Sequence, residues 1–253
     1  MALIRFPRLR CVKNGLMNNK ECGMNKIEIL EIEMTYGMNR DTIYPVVLYD
    51  ERYCVLVDCG FVGSLPQIEE ELKMHGIPPE SITHIILTHQ DHDHVGAAAA
   101  FQRKYPKVRI MASAIEMPYI SGKQKSLRLE QAEELQKTLP IEQQAFGEAF
   151  CNLLRGVEPV QINHLLQADD QLPFCGGCQV IATPGHTPGH ISIYLSEFDT
   201  IISGDAFALE DGKPVIANPQ FTLDKKEATA SMKRLLSSSA KKIICYHGGV
   251  FIR

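Results

Sequence analysis

Leu87-Thr-His-Gln-Asp-His-Asp-His-Val-Gly96 gathers His89, Asp91, His92, Asp93 and His94 into one short span. It follows Thr83–Thr88 (THIILT), a run with the apolar character of a buried strand. A merely solvated loop gains little from such density, and its imidazoles would repel one another at low pH. Imidazole nitrogen and carboxylate oxygen are the usual ligands of zinc and iron, so the stretch reads as a metal-binding loop at a strand end.

The rest of the chain supplies partners for it. Thr183-Pro-Gly-His186-Thr-Pro-Gly-His190, Ser203-Gly-Asp205 and Cys245-Tyr-His247-Gly-Gly each follow a strand-like run. Proline and glycine fix a tight turn at the first of these and let His186 point out of it. Candidates at the ends of several strands can converge on one edge of a sheet. His89, Asp91, Asp93, His94, His186, Asp205 and His247 are too many for one tetrahedral zinc. They suit two metals that share a bridging carboxylate and a bridging water.

The pattern around these motifs reads as a chain of alternating elements. Lys26–Glu33, Tyr44–Tyr49 and Tyr53–Asp58 read as strands. Ser64 with Gln67, and Pro66 in the first turn, read as a helix start with a capping box, and the helix closes at Gly76. Val95–Tyr105 has helical character and Val108–Met111 strand character. Further strands fall at Cys178–Ala182, Ile191–Leu195, Thr200–Ser203 and Lys242–Tyr246, with a helix over Lys225–Ser237. Two halves of this kind predict two packed sheets covered by helices, an α/β fold. Between them, residues 113–163 are helix-prone and read as an insertion or lid. Its Met117, Tyr119, Phe146 and Phe150 read either as lid core or as an apolar acyl pocket. Residues 1–23 read as a loose extension, with no secretory signal pattern.

Apolar residues make up 45% and charged residues 22%, as in a globular protein, and the net charge of −4 argues against a nucleic-acid partner. No run is long and apolar enough to cross a bilayer. The eight cysteines are scattered, which predicts reduced thiols and a cytoplasmic setting. Cys175-Gly-Gly-Cys178 reads as a two-residue hairpin turn rather than a zinc knuckle, because no second Cys-x-x-Cys completes a four-cysteine site.

Taken together, THxDxDHxG, TPGHTPGH, SGD and the terminal strand-plus-His resemble the metallo-β-lactamase superfamily, over Met24 to His247. That resemblance implies a four-layer αββα sandwich with a dinuclear site on one edge. It implies that Asp58, in VLVDCG, supports the metal loop without binding metal. Carried over by position, His89, Asp91 and His186 would hold the first metal, and Asp93, His94 and His247 the second. Asp205 would bridge them. His190 matches a residue outside the ligand set, and His92 sits in the variable slot. Asp91 is a departure, because the commonest pattern has His there. Flavodiiron proteins of the same superfamily carry Glu at that place and hold iron. The expected cofactors are therefore two divalent metals, zinc first, with iron or manganese admitted by Asp91.

The resemblance implies hydrolysis by a metal-bridged hydroxide, with Asp93 and Asp205 as candidate catalytic residues. The expected substrate is a small ester, thioester or lactone. The alternatives are a phosphodiesterase of the same fold and a di-iron redox protein related to the flavodiiron group. Quorum-quenching lactonases have a Tyr three residues after the bridging Asp, where this chain has Ala208. Glyoxalase II shares TPGHTPGH but adds a C-terminal helical domain, and this chain ends at Arg253. The expected partners are a small molecule and, at most, a second copy of the chain (monomer or homodimer), with no membrane.

Overall fold

β1 (Lys26–Ile29), β2 (Ile32–Tyr36), β3 (Asn39–Ile43), β4 (Val46–Tyr49) and β5 (Cys54–Val57) open the fold, followed by α1 (Leu65–Met74) and β6 (His84–Leu87). α2 (His92–Val95), α3 (Ala98–Lys104) and β7 (Arg109–Ser113) come next, then three helices: α4 (Met117–Ile120), α5 (Leu127–Gln136) and α6 (Ile141–Arg155). The second half holds β8 (His164–Leu166), β9 (Gln171–Leu172), β10 (Cys178–Ala182), β11 (Ile191–Leu195) and β12 (Thr200–Gly204). It ends with β13 (Ala208–Glu210), β14 (Lys213–Val215), α7 (Lys225–Leu236), β15 (Lys242–Cys245) and β16 (Gly249–Ile252). The structure, a computed structural model, describes residues 25–36 and 39–253. The extension expected over residues 1–23, with Cys11 and Cys22, lies outside the described residues.

Two six-stranded sheets carry the fold, in the orders β1-β4-β5-β6-β7-β8 and β16-β15-β12-β11-β10-β9. Alternation along the strands decides what each face meets. In the first sheet Leu48, Val55, Val57, Ile86 and Met111 face inward, against Val180, Ile193, Ile202 and Ile244 of the second. Their neighbours Val47, Leu56, Ile85 and Ile110 face outward, with Ile68 and Leu72 of α1 and Phe101 of α3. On the far side Ile201, Ile243 and Cys245 pack with Leu235 of α7. Helix, sheet, sheet and helix thus form the expected αββα sandwich. Each fully buried aliphatic side chain contributes roughly 1.5–3 kcal/mol. No helix among the described residues is long and apolar enough to cross a membrane.

Several local expectations change. The run Lys26–Glu33 is split: β1 pairs with β4, whereas β2 turns away to pair with β3. The capping box does not form. Ser64 itself has helical dihedrals (φ −75°, ψ −4°), and its hydroxyl turns back to accept from Phe61 N at 3.1 Å. The helical run at Val95 breaks into α2 and α3 at Gly96, which packs so closely on the 61–62 turn that a Cβ would lie 2.2 Å from Val62 N. A hairpin does form at Cys175-Gly-Gly-Cys178, but β9 stops at Leu172 and the turn is wider than two residues. Pro173 follows, and proline has no N–H to give a ladder. The six described cysteines are free and buried, and burial pushes the thiols of Cys175 and Cys178 up to about 12. They pack; they do not titrate near neutrality.

Ile86→Ala, at the centre of the inter-sheet core, is expected to cost about 2–5 kcal/mol in urea unfolding. Ile141→Ala, at a residue 86% exposed, is expected to stay within about 0.5 kcal/mol of the parent. Equal losses would move the core elsewhere.

Candidate metal centre

Parallel pairing of β5 with β6, Val57 opposite Ile86, brings Asp58 beside Thr88 just past the strand ends. Asp58 sits in the left-handed region (φ 61°) and is buried. Its Oδ1 accepts from Thr88 N at 2.8 Å, and its Oδ2 accepts from Thr88 Oγ1 and from His94 Nδ1, both at 2.8 Å. Because the Thr88 hydroxyl donates to Asp58, it accepts from His89 Nδ1 at 3.0 Å. Thr222 Oγ1 donates to Ala217 O and therefore accepts from His186 Nδ1 at 3.3 Å. In all three histidines Nδ1 is thus engaged as a donor, which turns Nε2 inward.

These nitrogens and the nearby carboxylates form two trios. His89, His186 and Asp205 offer donor atoms within 4.8 Å of one another, and so do Asp93, His94 and His247. Asp205 lies between them. Its Oδ2 is 3.6 Å from His186 Nε2, and its Oδ1 is 3.3 Å from His94 Nε2 and 3.8 Å from His247 Nε2. Asp93 Oδ2 is 3.1 Å from His247 Nε2. His89 Nε2, His94 Nε2, Asp91 Oδ1 and Asp205 Oδ1 are all buried without a hydrogen-bond partner. Leaving one such atom unsatisfied costs about 1–3 kcal/mol. Four gathered in one place, each with a lone pair to give, fit divalent cations.

Electrostatics agree with that fit. Burial opposes protonation of His94, but Asp205, Asp58 and Asp93 outweigh it and hold the imidazole well above its ordinary value. Burial likewise opposes His247, yet Asp205 and Asp93 raise it to about 9. Burial would raise Asp93 and Asp205, but the surrounding imidazoles hold both below the ordinary carboxylate range. The cluster thus demands positive charge, as protons or as metal.

Asp91 has a second partner, one on the helical segment. Arg128 of α5 is 2% exposed and donates to Asp91 Oδ2 from Nε (3.1 Å) and Nη2 (2.5 Å). The same Oδ2 is 2.9 Å from His186 Nε2 and 3.5 Å from His89 Nε2, so Asp91 faces the first trio. Burial would raise the Asp91 carboxyl, but Arg128, with His186 and His89, holds it well below its usual range. Beside the centre opens a cleft of about 770 Å³, whose lining includes Asp93, His92 and His247 together with Phe146, Phe150 and Phe221.

Comparison with known proteins agrees with this geometry. The family model described as the metallo-beta-lactamase superfamily matches residues 39–247. The chain belongs to this superfamily. It is 29% identical over 221 residues to the probable metallo-hydrolase YflN of Bacillus subtilis (strain 168), covering 81% of this chain and 80% of that protein. It is 23% identical over 198 residues to a hydroxyacylglutathione hydrolase of Synechococcus sp., covering 73% of this chain and 59% of that one. The metallo-beta-lactamase family protein of Thermus thermophilus shares its fold with a TM-score of 0.70 at 23% identity, over 89% of this chain and 74% of that one. The protein is a metallo-hydrolase of this superfamily.

In this metallo-hydrolase all seven expected ligands lie at one edge of the sandwich. His92 stands beside them, edge-on to Phe61 and Phe150, with Nδ1 3.6 Å from Asp93 Oδ1. His190 is kept from ligation by its own bonds. Its Nε2 accepts the Asp205 amide at 2.9 Å, and its Nδ1 therefore donates to Thr183 Oγ1 at 2.8 Å. Burial first, then the neighbouring imidazoles, holds His190 well below its ordinary value, hence neutral. Gly204 makes this possible: at φ 52°, a Cβ there would lie 2.8 Å from His190 Nε2.

The motifs did not point to several braces. Glu116 is fully buried and accepts from Gln90 N, Gln90 Nε2 and Gly189 N, tying the metal loop to the His186 loop. Tyr246 OH donates to Asp93 O at 2.6 Å and accepts from Gly60 N at 3.1 Å. Arg128 is the third.

Stripping the metal should expose the raised histidines as a pH dependence. A group whose folded pKa is raised stabilises fully below its unfolded value, about 6.5 for His, and that stability is lost as pH rises through the folded value. The metal-free protein should therefore lose stability between about 6.5 and about 9. The test is a series of urea midpoints across that range. His247→Gln should flatten the slope, and an unchanged slope would remove His247 from the account.

Proposed function

We propose that the protein hydrolyses a small ester, thioester or lactone at a dinuclear metal centre. The observation that carries this is Asp205, whose two carboxylate oxygens face different trios. His89, Asp91 and His186 would hold one ion, Asp93, His94 and His247 the other, and Asp205 would touch both. Zinc is the first candidate, with iron or manganese admitted by the hard oxygen of Asp91. Such ions, when bound, would supply Lewis acidity that lowers the pKa of water and polarises a substrate carbonyl. Asp93, ionised and at the cleft wall, orients the attacking water and takes its proton at a carboxylate oxygen, then passes it to the leaving group.

The cleft supports an acyl substrate over a phosphodiester. Its described lining holds Phe61, Phe146, Phe150, Leu153 and Phe221, together with Asp41 and Glu210, and no lysine or arginine. Away from the centre, an anionic phosphodiester would meet the carboxylates of Asp41 and Glu210 and no lysine or arginine. The Synechococcus relative, whose named substrate is an acylated thiol, supports the same class. We assign residues 113–163 the part of a lid, since Phe146 and Phe150 of α6 form one wall of the cleft. Met117 does not line the cleft, and Tyr119 lines a smaller neighbouring cavity. The buried free thiols suit a reducing compartment, the cytoplasm.

The deciding experiment is metal analysis of the purified protein, followed by a screen of esters, thioesters, lactones and phosphodiesters with the metal found. Turnover confined to phosphodiesters would overturn the acyl reading, and a flavin or ferric absorption band would favour the redox alternative. Asp205→Asn should lower metal content to about one per chain or less and reduce kcat by several orders of magnitude. A variant that keeps two metals and near-parental turnover would remove Asp205 from the centre.

A further inference from the structure

Arg128 has the largest volume of the fully buried side chains among the described residues. A guanidinium cannot shed its proton, so burying it requires a compensating charge. Its contacts are built. Two nitrogens meet Asp91 Oδ2, Nη1 donates to Phe221 O and to Gln131 Oε1, and the Phe221 ring centre lies 5.1 Å from Cζ. Nη2 also comes within 3.4 Å of His186 Nε2. Arg128 therefore touches two residues assigned to the first metal, yet it belongs to a helix far along the chain.

We infer that Arg128 and Asp91 act as one charge-neutral unit at the first metal position. A carboxylate ligand carries one more negative charge than a neutral imidazole. Arg128 cancels that charge, and its fork fixes Oδ2 towards His89 and His186. The pair thereby presents the centre with the net charge of a His ligand while keeping an oxygen donor. Arg128 is a positioning residue, because it acts through Asp91. The inference rests on the metal-centre reading above, and its test separates the two.

The test is a double-mutant cycle with Asp91→His, Arg128→Leu and both together. It is read as metals per chain after reconstitution with zinc, and as melting temperature after removal of metal by a chelator. Arg128→Leu leaves a buried carboxylate without its counter-charge, and Asp91→His leaves a buried guanidinium beside a dication. Each single variant should fall towards about one metal per chain and melt lower, whereas the double variant should recover about two metals and most of the melting temperature. Additive losses, or two metals in Asp91→His alone, would overturn the inference. Arg128→Lys against Arg128→Gln gives the same answer if a cycle variant does not fold. Lysine keeps the charge and should load better than glutamine, and the reverse order would overturn the inference. If the parent protein takes up no metal, the metal-centre reading fails instead, and the melting temperatures of the metal-free cycle still decide whether the pair is coupled.

Discussion

The centre hangs on the buried carboxylate of Asp58. That residue takes a left-handed conformation at the end of β5, which Asp tolerates better than most residues. The conformation turns the carboxylate across to β6, where it receives the Thr88 amide, the Thr88 hydroxyl and His94 Nδ1. One anion thereby fixes both flanks of the His/Asp loop. It holds His94 directly and His89 through the Thr88 hydroxyl, and so sets the tautomer of each. The strand register beneath it comes from ordinary apolar burial, so the core supplies the precision that the site uses.

The second sheet is brought to the same edge by a different set of bonds. Ile191 N donates to Thr88 O, and Tyr44 N to Tyr246 O. Tyr246 OH then reaches back to Asp93 O. These bonds cross between elements far apart in the chain, so the two trios form only when the sandwich closes. His190 adds a polar chain behind Asp205: Thr183 Oγ1 pairs with Ser192 Oγ, which donates to Ser203 O. A buried network of this kind rigidifies because every member is satisfied.

What was legible in the sequence follows from these facts. Apolar runs such as Thr83–Thr88 announce their strands, because burial on both faces leaves few other options. The residues of the two trios announce themselves by their density of His and Asp. The strands that escaped are short or polar, such as β3 (Asn39–Ile43) and the β13–β14 hairpin, whose identity is set by pairing and not by composition. Arg128 and Glu116 escaped for a similar reason. In SLRLEQAEELQ an arginine reads as one more solvated charge on a helix, and only the tertiary structure shows it buried against the metal loop.

That same helix shows why the helical segment and the loop cannot be considered separately. α5 buries only Arg128 and Ala132 fully, and its apolar contacts run to α6, where Leu129 and Ala132 pack with Phe150, Cys151 and Leu154. Its attachment to the His/Asp loop is polar. Gln90 Oε1 accepts from Leu127 N, Arg128 meets Asp91, and Gln131 Nε2 donates to Gln220 O. Two of these three anchors belong to adjacent residues of the metal loop. The contact of α5 with the loop depends on those partners keeping their charge and direction. Asp91 therefore does more than face the first trio, because it supplies the anion that Arg128 of this helical segment meets.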